Sequence, residues 1–261
     1  MQRRVAYPNR RRKETQDFRW RCFSEGIGVT VVLDLDCGNS RTKWRCELDQ
    51  GSVSPGCIPR LDLPVERVRV SSVSVSRENL RSEIYRTYGV EPEFAKSSKT
   101  LAGVTNSYSN PEELGVDRWL AMVAAWNRVR ASVMVVDAGT AITIDILDNT
   151  GHHLGGYIVP GLESMRKSLA IDTASVQIGS CSETIPDGSL GINTVQAVRN
   201  GLLSMVVAWI DQTRSLAEEI CGSVPTTFIV GGDKKSLMGL IDYDCRTEDE
   251  LVLDGLGLAL P

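Results

Sequence analysis

Two stretches of the chain, 31–40 (VVLDLDCGNS) and 133–142 (VMVVDAGTAI), share one pattern: a short apolar, β-rich run that stops at Asp-x-Gly. Runs of this length suit strands buried on both faces of a sheet. Each then resumes a strand-like pattern, RTKWRCEL in the first and AITIDIL in the second. In the second, Ile142, Ile144 and Ile146 alternate onto one face. Asn149 to Gly151 supply hairpin turn chemistry. Further along, the patterns predict a strand over 66–73, a helix over 77–88, a short strand over 91–95 and a long polar loop over 96–114. A helix is expected over 115–129, where Val116, Trp119, Leu120, Val123 and Trp126 form an apolar stripe. Strands over 133–137, 141–147 and 153–159 precede a helix over 161–170. A long helix spans 193–220, then a strand TFIVGG, a short helix after Asp233, and a closing strand ELVLD before GLGLAL. Alternation of strands and helices argues for α/β layers.

The simplest account of the rhyme is a duplicated unit: strand, Asp-Gly turn, strand, hairpin, helices. It divides the chain into 29–130 and 131–261, after a separate segment 1–28. That first segment holds eight Lys/Arg against three acidic residues, whereas the whole chain of 261 residues has a net charge of −4. A basic, sparsely apolar start reads as a disordered arm without the apolar core of a secretory signal. It is either an extension without function or an arm for a partner or nucleic acid. For the rest, the acidic balance implies no general affinity for nucleic acid. Seven cysteines form no CxxC pair, so they read as reduced cytosolic thiols rather than a metal framework. Apolar runs such as MVVAWI are far short of a membrane span.

Chemistry collects in the turns. Gly38 allows a tight turn and close approach of a ligand. Backbone N–H groups there can form an anion nest, to which Asn39 and Ser40 add donors and Lys43 a compact positive charge. Asp36 beside a phosphate calls for a bridging cation, and Mg2+ plays that part. The turn Asp137-Ala138-Gly139-Thr140 repeats the kit. A plain β-turn explains one such motif; two at matching places point to a nucleotide held from both sides. Gly231-Gly232 ends another apolar run, either to let an adenine lie on the backbone or as a strand-to-helix turn with Asp233 as N-cap.

At the start of the helix over 115–129, Asp117 and Arg118 lie about 100° apart, off the apolar stripe. Helix-end electrostatics is one reading. The other is a base that accepts a hydroxyl proton beside an arginine that holds a substrate anion. His152 and His153 are adjacent in a hairpin, point to opposite faces and read as turn residues. No Ser-His-Asp or Cys-His arrangement is evident and no GxxxxGK[ST] loop occurs, so acid–base work falls to carboxylates.

The segments LDCGNSRTKW, LGVDRW, VVDAGTAITIDILD, GHHLGGYIVPGLESM, NTVQAVRNGL and GGD occur in the order found in type III pantothenate kinases, which this sequence resembles over residues 31–261. Those enzymes belong to the acetate kinase/sugar kinase/Hsp70/actin superfamily. The resemblance implies an α/β fold of two ribonuclease H-like (actin-like ATPase) domains with a cleft between them. It implies ATP-dependent phosphorylation of pantothenate to 4′-phosphopantothenate, the first step toward coenzyme A, in a cytoplasmic homodimer whose pocket is completed across the interface. On it, Asp36, Cys37, Gly38, Asn39, Ser40, Arg41, Thr42 and Lys43 match the first phosphate-binding segment, with Asp36 toward Mg2+. Asp137 matches the ligand of a monovalent cation, potassium or ammonium, and Thr140 an ATP contact. Asp117 matches the proton acceptor. Tyr108, Gly115, Val116, Arg118 and Thr194 match pantothenate contacts, and Arg118 is expected to grip the carboxylate bidentately. Ser40 replaces a commoner threonine, residues 1–28 are extra, and the loop over 171–190 has no assigned role. Two rivals share the fold: a kinase for another small acceptor, and a non-catalytic accessory factor.

Overall fold

The computed structural model describes residues 31–73, 75–172 and 188–261. The basic arm and most of the loop over 171–190 lie outside them. The described chain forms two compact units, divided between Phe94 and Ala95.

The first unit is built on β1 (Val31–Cys37), with β2 (Thr42–Arg45), β3 (Gln50–Val53), β4 (Val65–Ser72) and β5 (Glu93–Phe94) in the order β3-β2-β1-β4-β5. The neighbours β1/β2 and β2/β3 run antiparallel, and β1/β4 and β4/β5 parallel. Along β1, Val31, Leu33, Leu35 and Cys37 alternate into a core completed by Val68, Val70, Leu80 and Ile84. Helix α1 (Arg77–Tyr88) brings in Leu80 and Ile84 and ends on Gly89, whose left-handed φ of 72° closes the helix. The opposite face of β1 carries a charge: Asp34 is buried, accepting from Arg69 Nε at 2.6 Å and Nη2 at 3.0 Å and from Arg45 Nη2 at 3.4 Å. The sequence had β1 as a plain core strand. Its partners Arg45 and Arg69 come from the two neighbouring strands, each directly opposite Asp34.

The second unit repeats the plan. Strands β8 (Val133–Ala138), β9 (Ala141–Leu147), β10 (His153–Pro160), β11 (Thr226–Val230) and β12 (Cys245–Thr247) take the order β10-β9-β8-β11-β12. Again two antiparallel pairs are followed by two parallel ones. Two sheets with one topology make the duplication explicit. Strand β8 is covered on both faces. Val133 and Val135 enter a core with α2 (Val116–Val129) and α6 (Leu251–Ala259); Met134, Val136 and Ala138 enter one with α4 (Thr194–Cys221). Helices α3 (Leu162–Asp172) and α5 (Lys234–Met238) pack on the second side.

Two expectations are corrected. ELVLD is not a strand but the start of α6, because Leu251/Val252, Gly255/Leu256 and Ala259/Leu260 recur every four residues and pack on α2. The span over 96–114 is not a featureless loop. It holds the hairpin β6 (Thr100–Leu101) and β7 (Val104–Thr105) and a 3-10 turn at Pro111–Glu113. Its bracket is Asn106, fully buried, whose Nδ2 donates to Ser98 O and Pro111 O and whose Oδ1 accepts from Tyr108 N at 2.9 Å.

Candidate active site

The first Asp-Gly turn joins β1 to β2. Asp36 lies opposite Lys43 in the strand register and Cys37 opposite Thr42. Gly38 N–H returns to Arg41 O at 3.2 Å, leaving Asn39, Ser40 and Arg41 exposed at the tip. Burial, with the charge of Asp36 adding and a Thr42 hydrogen bond opposing, pushes the Cys37 thiol up to about 12. Cys37 is therefore a core thiol, not a nucleophile. The second turn joins β8 to β9. Gly139 N–H returns to Ala141 O at 3.0 Å, and Asp137 lies opposite Thr143. A β-carbon at Gly38 would meet only Arg41 O, at 3.4 Å, and one at Gly139 would meet nothing nearer than 3.6 Å. Neither has a left-handed φ. The fold itself does not require glycine at either position.

The glycines around the second turn are different. Gly231 has φ of 93°, and a side chain there would overlap Ala138 O and come within 2.6 Å of Asp137 Oδ1. Gly161 N–H donates to Thr140 O at 2.9 Å, so close that a side chain would overlap Gly139 O. These two brace the turn from β11 and from the start of α3. Gly232 is exposed beside Gly231, and Asp233 stands at the N-cap of α5, as expected, but without a side-chain cap bond; its backbone N–H donates to Ala138 O at 3.0 Å. Burial, helped by the charge of Glu163, raises the Asp233 carboxyl above its ordinary range.

The start of α2 carries the acid and the guanidinium. Gly115 is the N-cap, and a β-carbon there would sit 2.7 Å from Asp117 Oδ1, so glycine leaves room for the carboxylate. Val116 is buried in the core beneath. Asp117 is half-buried and accepts from Arg118 N at 2.8 Å. Burial raises its carboxyl above the ordinary range; the Arg118 N–H bond and charge oppose this. Arg118 is buried. Its Nε and Nη2 donate to Asp145 Oδ2 and Oδ1 at 2.8 and 2.6 Å, and its Nη1 reaches Tyr108 OH at 3.4 Å. Burial works against its charge, but the Asp145 pair raises its pKa overall. The bidentate edge expected for a substrate carboxylate is thus held by Asp145, on β9.

Behind that pair lies a chain unseen in the sequence. Asp145 Oδ1 also meets His153 Nε2 at 3.1 Å, and His153 Nδ1 meets Ser107 Oγ at 3.1 Å. The His153 ring, fully buried, stacks on Tyr108 with centroids 6.0 Å apart. The two histidines do point apart, with His152 exposed, but His153 is no turn residue and a Ser-His-Asp sequence of contacts does exist. The signal was a β-bulge. The register slips between His153 and Gly155, whose φ is 124°, so His153 and Gly156 both lie on the Asp145 side. Any side chain at Gly156 would overlap the backbone at Ile144 O as well as Asp145 Oδ1, and would crowd Arg118 Nη2 to 2.9 Å. In GGYIVPG, then, Gly156 makes room for the ion pair and Gly161 for the turn. Thr194 is exposed on the first turn of α4, outside this network; the cap there is Asn193, which accepts from Gln196 N at 3.0 Å.

The profile of the family described as type III pantothenate kinase matches residues 32–215. A type III pantothenate kinase from Cellvibrio japonicus is 34% identical over 244 residues, covering 87% of this chain and 96% of its own. The chain belongs to the type III pantothenate kinase family. Among solved structures, a Campylobacter jejuni protein assigned to the Baf family of transcriptional activators superposes with a TM-score of 0.55 at 21% identity, over 86% of this chain and 95% of that one. A Sinorhizobium meliloti protein assigned as a 2-dehydro-3-deoxygalactonokinase gives 0.50 at 14% identity, over 87% and 97%. At those identities the structures speak for the fold alone, the two sheets of like strand order.

Proposed function

We propose that this chain transfers the γ-phosphoryl group of ATP to the hydroxyl of pantothenate, forming 4′-phosphopantothenate for coenzyme A synthesis. The observation that carries this reading is Asp117: a carboxylate left room by a side-chain-free N-cap, lifted in pKa by burial, and next to a buried guanidinium. Phosphoryl transfer asks a protein mainly for positioning and charge neutralisation. Asp117 takes the hydroxyl proton as the acceptor oxygen attacks phosphorus. Tyr108, Gly115, Val116 and Arg118 hold the acceptor, with Arg118 Nη1 and Tyr108 OH the groups that meet its carboxylate.

The nucleotide is held by Asp36 to Lys43, Thr140, Gly231 and Gly232. Gly38 and Gly139 fit this: the fold leaves both free to carry a side chain, so their bareness answers to a ligand. Asp36 holds Mg2+, and Asp137 a potassium or ammonium ion. Among the described residues no three His, Cys, Asp or Glu converge on one point, so each cation would draw its remaining ligands from backbone, water or phosphate oxygens. When bound, Mg2+ neutralises the charge that develops on the transferring phosphoryl oxygens.

The working unit is a homodimer in the cytoplasm. Tyr157 and Ile158 on β10 and Met205 and Ile220 on α4 are exposed apolar side chains fit for a self-contact, and Thr194 would then complete a neighbouring pocket. Among the described residues, Cys37, Cys46, Cys57, Cys221 and Cys245 are free thiols. No helix among the described residues is long and apolar enough to cross a membrane. The test is ATP-dependent turnover of pantothenate by the purified protein against a panel of small hydroxy acids, with and without potassium. Pantothenate should be the best acceptor and potassium should raise the rate. A better acceptor elsewhere in the panel, or no turnover of any, would refute the assignment.

A further inference from the structure

The Ser107–His153–Asp145–Arg118 chain is not used by the chemistry above, yet it ends on a residue that is. Asp145, 2% exposed, and His153, 0% exposed, have no route to a substrate. Both lie on the side of the second sheet that faces α2, His153 opposite Leu147 on β9.

We infer that Asp145 and His153 are positioning residues that set Arg118 for the anionic end of the acceptor. Hydrogen-bond bookkeeping fixes the direction. An ionised Asp145 only accepts, so His153 Nε2 carries the hydrogen, and the other ring nitrogen, Nδ1, shares a hydrogen bond with the Ser107 hydroxyl. Asp145 Oδ1 thus takes two donors, Arg118 Nη2 and His153 Nε2, at 2.6 and 3.1 Å. Held at Oδ1 by the histidine, the carboxylate cannot turn away from the guanidinium, and a bidentate pair leaves that plane one orientation. Nη1 is then the part of the guanidinium directed toward Tyr108 OH, 3.4 Å away. Tyr108 is fixed from two sides: its backbone N–H by Asn106, and its ring by stacking on the same His153. One buried histidine therefore governs both halves of a two-point anchor. A purely space-filling role would need no hydrogen bond at either ring nitrogen, and both are bonded.

This rests on the pantothenate reading, and the test separates the two. Steady-state kinetics would compare pantothenate with its neutral carboxamide in the wild type, His153→Leu, His153→Gln and Ser107→Ala. Loss of a charge-assisted hydrogen bond behind Arg118 should raise the KM for pantothenate about tenfold in His153→Leu. The kcat, the KM for ATP and the KM for the carboxamide should stay within about twofold. His153→Gln, which keeps an N–H for Asp145, should recover most of the loss, and Ser107→Ala should show a smaller rise confined to pantothenate. If His153→Leu does not fold, the other two variants decide. Equal rises for both acceptors, or none for pantothenate, would overturn this inference alone. A wild type that phosphorylates neither acceptor would overturn it together with the proposed function.

Discussion

Asp117 sits where opposing influences meet: burial, joined by the Asp145 charge, disfavours its ionised form, and the Arg118 N–H and guanidinium favour it. Burial prevails, so the carboxyl is raised. For a base that works ionised, turnover should fall as pH drops through a pKa above the usual carboxylate range, and this acid limb should vanish in Asp117→Asn. That variant should lose about 10²–10⁴ in kcat while still binding ATP and pantothenate. The linkage sign gives a second readout. A carboxyl raised in the folded state contributes most below its unfolded pKa, and that contribution is lost as pH rises through the folded value. At neutral pH the ionised group is therefore a cost, and Asp117→Asn should melt no lower than wild type. Near-normal turnover would remove Asp117 from the mechanism; a large fall in Tm would make it structural. At this scale the sequence showed residues whose role follows from local context, such as Asp117 beside Arg118 at a helix start. It hid those whose role depends on a partner far along the chain. Asp34 with Arg69, and His153 with Asp145 and Ser107, become legible only once strands are in register.

Helix α6 shows what an element owes to its neighbour. The sequence reading made ELVLD a closing strand, and the two glycines after it weaken a helix by about 1 kcal/mol each. Packing outweighed that propensity. Leu251 and Leu256 are buried against α2, and Gly255 lies so close to it that a β-carbon would overlap Leu120 O and sit 2.8 Å from Leu120 Cα. The glycine that argued against a helix is what lets the helix dock. Gly255→Ala, though better for an isolated helix, should destabilise the protein by about 1–3 kcal/mol through overpacking. It should also lower kcat, because α2, the helix it pushes against, carries Asp117 in its first turn. Thermal unfolding checks the first and steady-state kinetics the second; an unchanged Tm would mean that α6 slides freely on α2. The other long elements matched their patterns closely because each is strongly periodic, α1 over 77–88 and β9 over 141–147 among them. The segment over 96–114 did not, since its order comes from Asn106 and not from any repeat.

For the whole molecule, the two Asp-x-Gly turns were the readable sign of duplication, and the two sheets of like topology are its outcome. The sequence repeat begins again at Val133, whereas the compact unit begins at Ala95, because α2 packs on β8, β9 and α6. A local pattern records what an element is, not what it packs against. The same reasoning bears on the basic arm. Among the described residues the core of the first unit starts at Val31, and the family match starts at residue 32. The Cellvibrio relative is covered over 96% of its length by 87% of this chain. Every residue given a part in binding or chemistry lies at or beyond Asp36. Removing residues 1–28 takes away eight Lys/Arg and three acids, shifting the net charge from −4 toward −9. That change lies outside the matched core, and at physiological salt its field is screened beyond about 8 Å. The truncated protein should keep the wild-type kcat and KM for ATP and pantothenate within about twofold, and its Tm should be unchanged. A collapse in rate would place the arm inside the enzyme. A rise in the KM for ATP alone, relieved at high salt, would show that its positive charge draws the nucleotide in.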